Sequence, residues 1–211
     1  MRLFDYWRSS AAYRVRIALN LKALDYAQVS VDLRSGAQRA PDYRRRNPQG
    51  LVPFLEDGDL GIGQSLAIIA YLDERHPAPP LLPAEPGRRA LARSIAFLIA
   101  CEIHPLNNLR VLQHLERELG CGEATRLAWY RHWVVEGFAA LETMLAGSAG
   151  RFCVGDQPTI ADVCLVPQVY NARRYECDLA PYPTIVRIDA HCRSLDAFAR
   201  AAPERQPDAA P

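Results

Sequence analysis

Short apolar runs separated by turn signals occupy the first third of the chain, and helical spacing takes over beyond it. Arg2-Leu3-Phe4-Asp5-Tyr6 is short and aromatic-rich and predicts a strand. Val15-Arg16-Ile17-Ala18-Leu19-Asn20-Leu21 predicts a helix, which makes Trp7 to Arg14 a strand-to-helix turn. Tyr26 to Val31 alternates like a second strand, and the arginine-rich stretch Gln38 to Arg46 predicts a short exposed helix. Asn47 to Gly58 reads as loop, strand and turn. Asp57-Gly58 is a strong hairpin signal, with Leu60-Gly61-Ile62 as the return strand. Gln64-Ser65 opens a helix with Leu66, Ile69 and Leu72 on one face. The order βαβ, α, ββα describes a small α/β domain with a mixed sheet over residues 1–77.

His76-Pro77-Ala78-Pro79-Pro80-Leu81-Leu82-Pro83 cannot continue a helix, because each proline lacks an N–H and restricts its predecessor. This marks a domain boundary. Residues 87–211 read as an all-helical domain. One apolar stripe runs through Leu91, Ile95, Leu98 and Ile99, and a second through Leu112, Leu115 and Leu119. Trp129, Trp133 and Leu141 belong to a long helix closed by Gly147 and Gly150. Thr159-Ile160-Ala161-Asp162 is a capping box in its Asp variant, so Asp162 reads as structural. It opens a nearly all-apolar stretch to Val169, the signature of a core helix. The tail after Ala201 reads as extended, and there is no internal repeat.

Composition narrows the class. Apolar residues make up 49% of the chain and the net charge is +1, so a soluble globular protein is expected, with no electrostatic case for nucleic acid or a membrane surface. Lys22 is the single lysine. No signal-peptide pattern and no apolar run of bilayer-spanning length stand out. The six cysteines show no CxxC pair and no metal-ligand spacing, which predicts reduced, mostly buried thiols in a cytoplasmic protein and no metal site.

Candidate chemistry gathers at the turns. A helix N-terminus presents unpaired N–H groups and a partial positive charge. Ser9 and Ser10 there read either as an N-cap or as donors to a thiolate or carboxylate. Gln64-Ser65 presents the same choice at a second helix start. Between them, Val52-Pro53 reads either as an ordinary trans bond or as a cis turn that leaves the Val52 peptide groups for an extended ligand. Two anion-competent helix starts flanking a strand-pairing loop suit a small acidic peptide. In the helical half, Pro105 predicts a kink, with His104 and Asn108 on one face beside it and Arg110 nearby. One of Arg173 and Arg174 is expected to aim at an anion in the cleft between domains, the other to be solvated or paired.

These pieces together resemble the cytosolic glutathione transferases, a thioredoxin-like N-terminal domain joined to an all-helical C-terminal one. More closely they resemble the zeta class, the maleylacetoacetate and maleylpyruvate isomerases. The likeness rests on Arg8-Ser9-Ser10 with Arg14-Val15-Arg16-Ile17-Ala18-Leu19, on Asn47-Pro48-Gln49 with Val52-Pro53, and on Gln64-Ser65-Leu66-Ala67-Ile68-Ile69. It continues through His104-Pro105-Leu106-Asn107-Asn108, Thr159 to Asp162, Leu165 to Val169, Asp178 to Pro183 and Arg205-Gln206-Pro207-Asp208, nearly the whole chain. One departure is clear: the zeta pattern Ser-Ser-Cys-Ser is Ser9-Ser10-Ala11-Ala12 here. The His104-Pro105 and Arg173-Arg174 details resemble the maleylpyruvate branch.

The resemblance implies glutathione as cofactor and a small dicarboxylate as substrate, in a cytoplasmic homodimer of an aromatic-degradation pathway. It implies that Ser9 stabilises the glutathione thiolate, with Ser10 and the helix N-terminus assisting in the absence of the missing thiol and hydroxyl. Val52 would pair with the cysteinyl backbone, and Gln64 and Ser65 would hold the γ-glutamyl end. His104, Asn108 and Gln49 would lie near the glycine end. Arg8 and Arg174, with Arg110, would hold substrate carboxylates. The implied reaction is cis–trans isomerisation by reversible thiolate addition to a conjugated C=C bond. Conjugation, peroxide reduction or dehalogenation on the same scaffold, and non-catalytic binding of hydrophobic ligands, are the competing readings.

Overall fold

A computed structural model describes residues 1–209 and divides the chain into two compact units. The first holds Met1–Leu81 together with the described residues from Ser194 on; the second is Leu82–Arg193. The C-terminal segment thus packs with the first unit, whereas the sequence reading counts it with the helical domain 87–211.

In the first unit, β1 (Arg2–Asp5), β2 (Ala27–Ser30), β3 (Phe54–Asp57) and β4 (Leu60–Gly63) form one sheet in the order β2-β1-β3-β4. β1 and β2 are parallel, while β1 with β3 and β3 with β4 are antiparallel. A parallel pair needs a crossover, and α1 (Ser10–Leu21) supplies it. The register sets Leu3 opposite Leu55, both fully buried. Gly58, at φ +60°, makes the hairpin turn that Asp57-Gly58 signals. The arginine-rich region forms a 3-10 turn at Ala37–Arg39 and the short helix α2 (Pro41–Arg46), exposed except for Gln38 and Tyr43.

α1 begins at Ser10, five residues before the predicted Val15, because Ser9 caps it. It packs against α3 (Ser65–Arg75) and α9 (Asp196–Ala201), so even Arg14 and Arg16 are buried. The tail is not extended as expected. Pro203–Arg205 forms a 3-10 turn, and the buried Gln206 side chain donates to the carbonyls of Arg200 and Ala202 at 2.9 and 2.7 Å. The proline-rich boundary is irregular from His76 to Glu85. The Lys22 ammonium ties its start by donating to Asp73 Oδ1 and to the carbonyls of His76 and Pro79.

In the second unit, α4 (Pro86–Phe97), α5 (Leu109–Arg117), α6 (Glu123–Ala146), α7 (Ile160–Arg174) and α8 (Pro183–Arg193) surround a core made largely by α7. Both halves of the capping box form: the Thr159 side chain accepts from the Asp162 N–H, and Asp162 Oδ2 accepts from the Thr159 N–H at 2.8 Å, while Thr159 Oγ1 also accepts from Ala161 N. Asp162 Oδ1 also accepts from Cys153 N. Burial pushes the Asp162 carboxyl above its ordinary pKa, and these bonds oppose that shift.

Three expectations are corrected here. The second stripe stops early: α5 ends at Arg117, Leu115 is buried, and Leu119 lies beyond the helix, 63% exposed. The cysteines are not mostly buried; Cys153, Cys164 and Cys192 are, Cys121 and Cys177 are half-buried and Cys101 is exposed. The helical stretch Pro86–Arg117 does contain an 18-residue window apolar enough to cross a membrane by length and composition. One face of it, Ala92, Ile95, Ala96, Ile99 and Ile103, is buried within this unit, where α4 packs against α7.

Candidate active site

At the first helix start the Tyr6 carbonyl accepts the Ser9 N–H at 2.9 Å, closing the turn that carries Arg8. Ser9 sits in an extended conformation as the N-cap of α1, and its Oγ accepts the Ala12 N–H at 3.2 Å. The cap and donor readings are therefore compatible. A hydroxyl that accepts one bond still has its own proton to donate. Ser10 is buried as the first helical residue, and the Arg8 guanidinium lies 5.1 Å from the centre of the Trp7 ring.

The second helix start is built differently. Gln64 occupies the cap position of α3 with φ +67°, a conformation L side chains seldom adopt, and its side chain makes no cap bond. The N-cap reading of Gln64-Ser65 is thereby corrected, since Ser65 lies inside the first turn. The Gln64 amide instead donates to Gln49 Oε1 at 2.8 Å. Buried Ser65 accepts at Oγ from Arg14 Nη1 at 3.3 Å. First-turn N–H groups, a hydroxyl and a cation behind it form an anion-binding arrangement.

The loop between is pinned at Leu51, whose carbonyl accepts from Tyr43 Oη at 2.7 Å and Asn47 Nδ2 at 2.8 Å. Burial pushes the Tyr43 phenol up to about 12, so it stays protonated as a donor. Gly50 has φ +61°, and a Cβ there would meet the Gln38 carbonyl at 3.0 Å. The Val52–Pro53 bond is cis. Among the described residues nothing bonds the Val52 N–H or carbonyl, which leaves a peptide edge for an extended ligand. In the first unit Gln64 is thus bonded to Gln49, and its neighbour Ser65 to Arg14 of α1.

In the second unit the interruption is broader than one proline kink. A π-helical segment, Leu98–Ile103, and a 3-10 turn, Pro105–Asn107, separate α4 from α5. Asn108 is extended and caps α5, its side chain accepting the Arg110 N–H at 3.1 Å. His104 and Asn108 are therefore not partners one turn apart on a continuous helix face. Half-buried His104 ends the π-helical segment, and Arg110 is exposed.

The two arginines after the core helix separate clearly. Arg173 Nη1 bonds Asp189 Oδ2 at 2.5 Å, a carboxylate with no exposed surface. Arg174 is exposed, 4.9 Å over the Tyr175 ring, which stacks on Tyr130 with centroids 3.6 Å apart. Arg173 is thus ion-paired, whereas Arg174, among the described residues, pairs only with the aromatic ring. Sequence reasoning passed over Arg14 as a site residue. Its signal was a charge set among Tyr13, Val15 and Ile17 on a helix otherwise committed to the core. Among the described residues no cluster of His, Cys, Asp or Glu is arranged to hold a metal.

Comparison with known proteins agrees with this geometry. Residues 3–80 match the model of the glutathione S-transferase N-terminal domain, and residues 109–201 that of the C-terminal domain. The chain is similar to a probable maleylacetoacetate isomerase of Vibrio cholerae, 52% identical over 98% of this chain and 97% of that protein. It is similar to the holo structure of a maleyl pyruvate isomerase, a bacterial zeta-class glutathione transferase. That match has a TM-score of 0.98 and 46% identity over the full length of both chains. A maleylacetoacetate isomerase of Methylobacterium extorquens, solved with malonate and glutathione bound, has a TM-score of 0.97 and 45% identity over the same coverage. The mixed four-stranded sheet with its helices is thioredoxin-like, and the second unit is all helical. The chain belongs to the glutathione S-transferase family, in its zeta class.

Proposed function

We propose that the protein is a glutathione-dependent cis–trans isomerase of a maleyl keto-dicarboxylate, maleylpyruvate or maleylacetoacetate. The observation that carries this reading lies in the first unit. Ser65 with Arg14 behind it, the Val52 peptide edge and the donor-competent Ser9 hydroxyl match in turn the carboxylate, amide and thiol of a short γ-linked peptide. When bound, glutathione supplies a thiolate that adds to the conjugated double bond and leaves again, so rotation takes place about a single bond and no thiol is consumed.

The chain's own groups do the rest. Ser9, with Ser10 and the α1 N-terminus, donates to the thiolate and keeps it ionised. Val52 pairs with the cysteinyl peptide group, and Gln64 and Ser65 hold the γ-glutamyl end. Gln49, His104 and Asn108 serve the glycine end, and Arg110 assists in holding the substrate's carboxylates. Arg8 and Arg174 hold the substrate's carboxylates and stabilise charge developing on its carbonyl oxygen. We assign most of the glutathione site to residues 1–77 and most of the substrate site to the helical part from residue 87 on. We further propose a cytoplasmic homodimer, as the family resemblance implies.

The deciding measurement is ultraviolet absorbance of maleylpyruvate and of maleylacetoacetate with the enzyme, with and without glutathione. Isomerisation that needs glutathione without consuming it is the expected result, and the ratio of kcat/KM values names the substrate. Turnover that consumes glutathione would point to a conjugating or reducing enzyme, and binding without turnover to a carrier.

A further inference from the structure

The turn bearing Arg8 and Ser9 is held from outside as well as by its own bond to Tyr6. Trp7, its first residue, is buried, and both of its peptide groups are engaged by side chains. The Trp7 N–H donates to Asp208 Oδ2 at 3.1 Å, across a separation of 201 residues. The Trp7 carbonyl accepts from Arg16 Nη2 at 2.9 Å. The same Asp208 oxygen accepts from Ser30 Oγ at 2.9 Å, which fixes the carboxylate against the end of β2.

Two residues before Asp208, Gln206 Oε1 accepts from Gln28 Nε2 at 2.9 Å, and Gln28 Nε2 also donates to Asp5 Oδ2 at 3.0 Å. Asp5 in turn pairs with Arg16. The network therefore closes on itself. From the Trp7 N–H it runs to Asp208, along the chain through Pro207 to Gln206, and then by bonds through Gln28, Asp5 and Arg16 back to the Trp7 carbonyl. A bond to an ionised acceptor is stronger than a neutral one, and Asp208 is the member contributed by the C-terminal tail.

We propose that Asp208 is a positioning residue for the Arg8-Ser9 turn: its carboxylate fixes the Trp7 peptide, and so sets where the Ser9 hydroxyl meets the glutathione thiolate. This rests on the role assigned to Ser9 above. It gives the tail a function in the chemistry without any contact to substrate.

The test uses Asp208→Ala and Asp208→Asn in the full-length protein, with two readouts besides turnover. These are hydrogen exchange at the Trp7 amide and the thiol pKa of bound glutathione, followed by thiolate absorbance. In Asp208→Ala the Trp7 amide is expected to exchange about tenfold faster, with the β1 amides of Leu3 and Phe4 unchanged, and the bound thiol pKa to rise. Asp208→Asn keeps an acceptor oxygen and is expected to restore both. Wild-type exchange and thiol pKa in Asp208→Ala would overturn the proposal, as would equal impairment in the two variants or faster exchange with an unmoved thiol pKa. If Asp208→Ala loses its melting transition, Ser30→Ala carries the test. Freeing the carboxylate on that side must speed Trp7 exchange, and an unchanged rate overturns the proposal. Failure of the wild type to bind glutathione would instead count against the function proposed above.

Discussion

Nη1 of Arg16 lies 2.8 Å from each carboxylate oxygen of Asp5, and neither side chain is more than 3% exposed. Its remaining donors reach the Trp7 and Ala201 carbonyls, so one guanidinium joins β1, the candidate catalytic turn and the C-terminal helix. Asp5→Ala leaves that cation buried without its counter-charge, and we expect a loss of about 3–5 kcal/mol. Urea unfolding measures it, and a loss below about 1 kcal/mol would refute this role.

Arg173 and Arg174 are adjacent yet should behave oppositely. Arg173→Ala leaves the buried Asp189 carboxylate only the longer contact to Arg193 at 3.9 Å and is expected to lower stability by about 1–3 kcal/mol while leaving KM near its wild-type value. Arg174→Ala removes an exposed cation and is expected to raise the substrate KM with little change in melting temperature. Paired melting curves and steady-state kinetics separate the two, and an unchanged KM in Arg174→Ala removes that residue from the site.

Ser9→Ala combines two losses. Without its cap α1 should be weaker by about 1 kcal/mol, and without its hydroxyl the pKa of bound glutathione should rise. We expect kcat to fall by roughly 10²-fold, the scale of losing one preorganised donor. A fall in stability with kcat unchanged would leave Ser9 as a cap only.

Gln64 holds a positive φ in a residue that is not glycine. Such conformations cost of order 1–3 kcal/mol, a cost glycine largely avoids. Gln64→Gly is accordingly expected to stabilise the fold while weakening glutathione binding, because the side chain bonded to Gln49 is gone. Calorimetry on the variant reads both effects.

The buried thiols set an alkaline limit. Burial raises the Cys153 and Cys192 thiols above their ordinary value of 9.0. Unfolded cysteines release protons as pH passes about 9 while the native ones retain them, so the native state binds more protons and stability falls as pH climbs. The Tyr43 phenol, pushed up to about 12, acts in the same sense at higher pH. A melting temperature flat across that range would contradict this. Thiol reagents should modify exposed Cys101 first and reach Cys153, Cys164 and Cys192 only on unfolding.

What could be read in advance was local. The strands of the first unit, the hairpin at Asp57-Gly58, the proline boundary and the Thr159–Asp162 box are patterns of neighbours, set by residues a few positions apart. The motifs at Ser9-Ser10, Val52-Pro53 and Gln64-Ser65 were legible for the same reason, each being a turn or helix start. The misread elements lacked such a signature. Leu119 continued a helical spacing past the point where α5 ends, and the tail's composition hid the bonds of Gln206.

The sequence by itself determined the two-part fold, the helix starts that suit an anion and the family to which the motifs point. Periodicity, capping and proline geometry act over one or two turns of chain, so they are written in local order. Only the tertiary structure decided which charged groups pair with which partners. Arg14 reaches Ser65 across 51 residues, Arg16 reaches Ala201 across 185, and Asp208 reaches Trp7 across 201. Which of Arg173 and Arg174 is ion-paired depended likewise on where Asp189 fell. Pairing at such separations is selected by the burial of a charge that must find its partner, and no local spacing records where that partner lies.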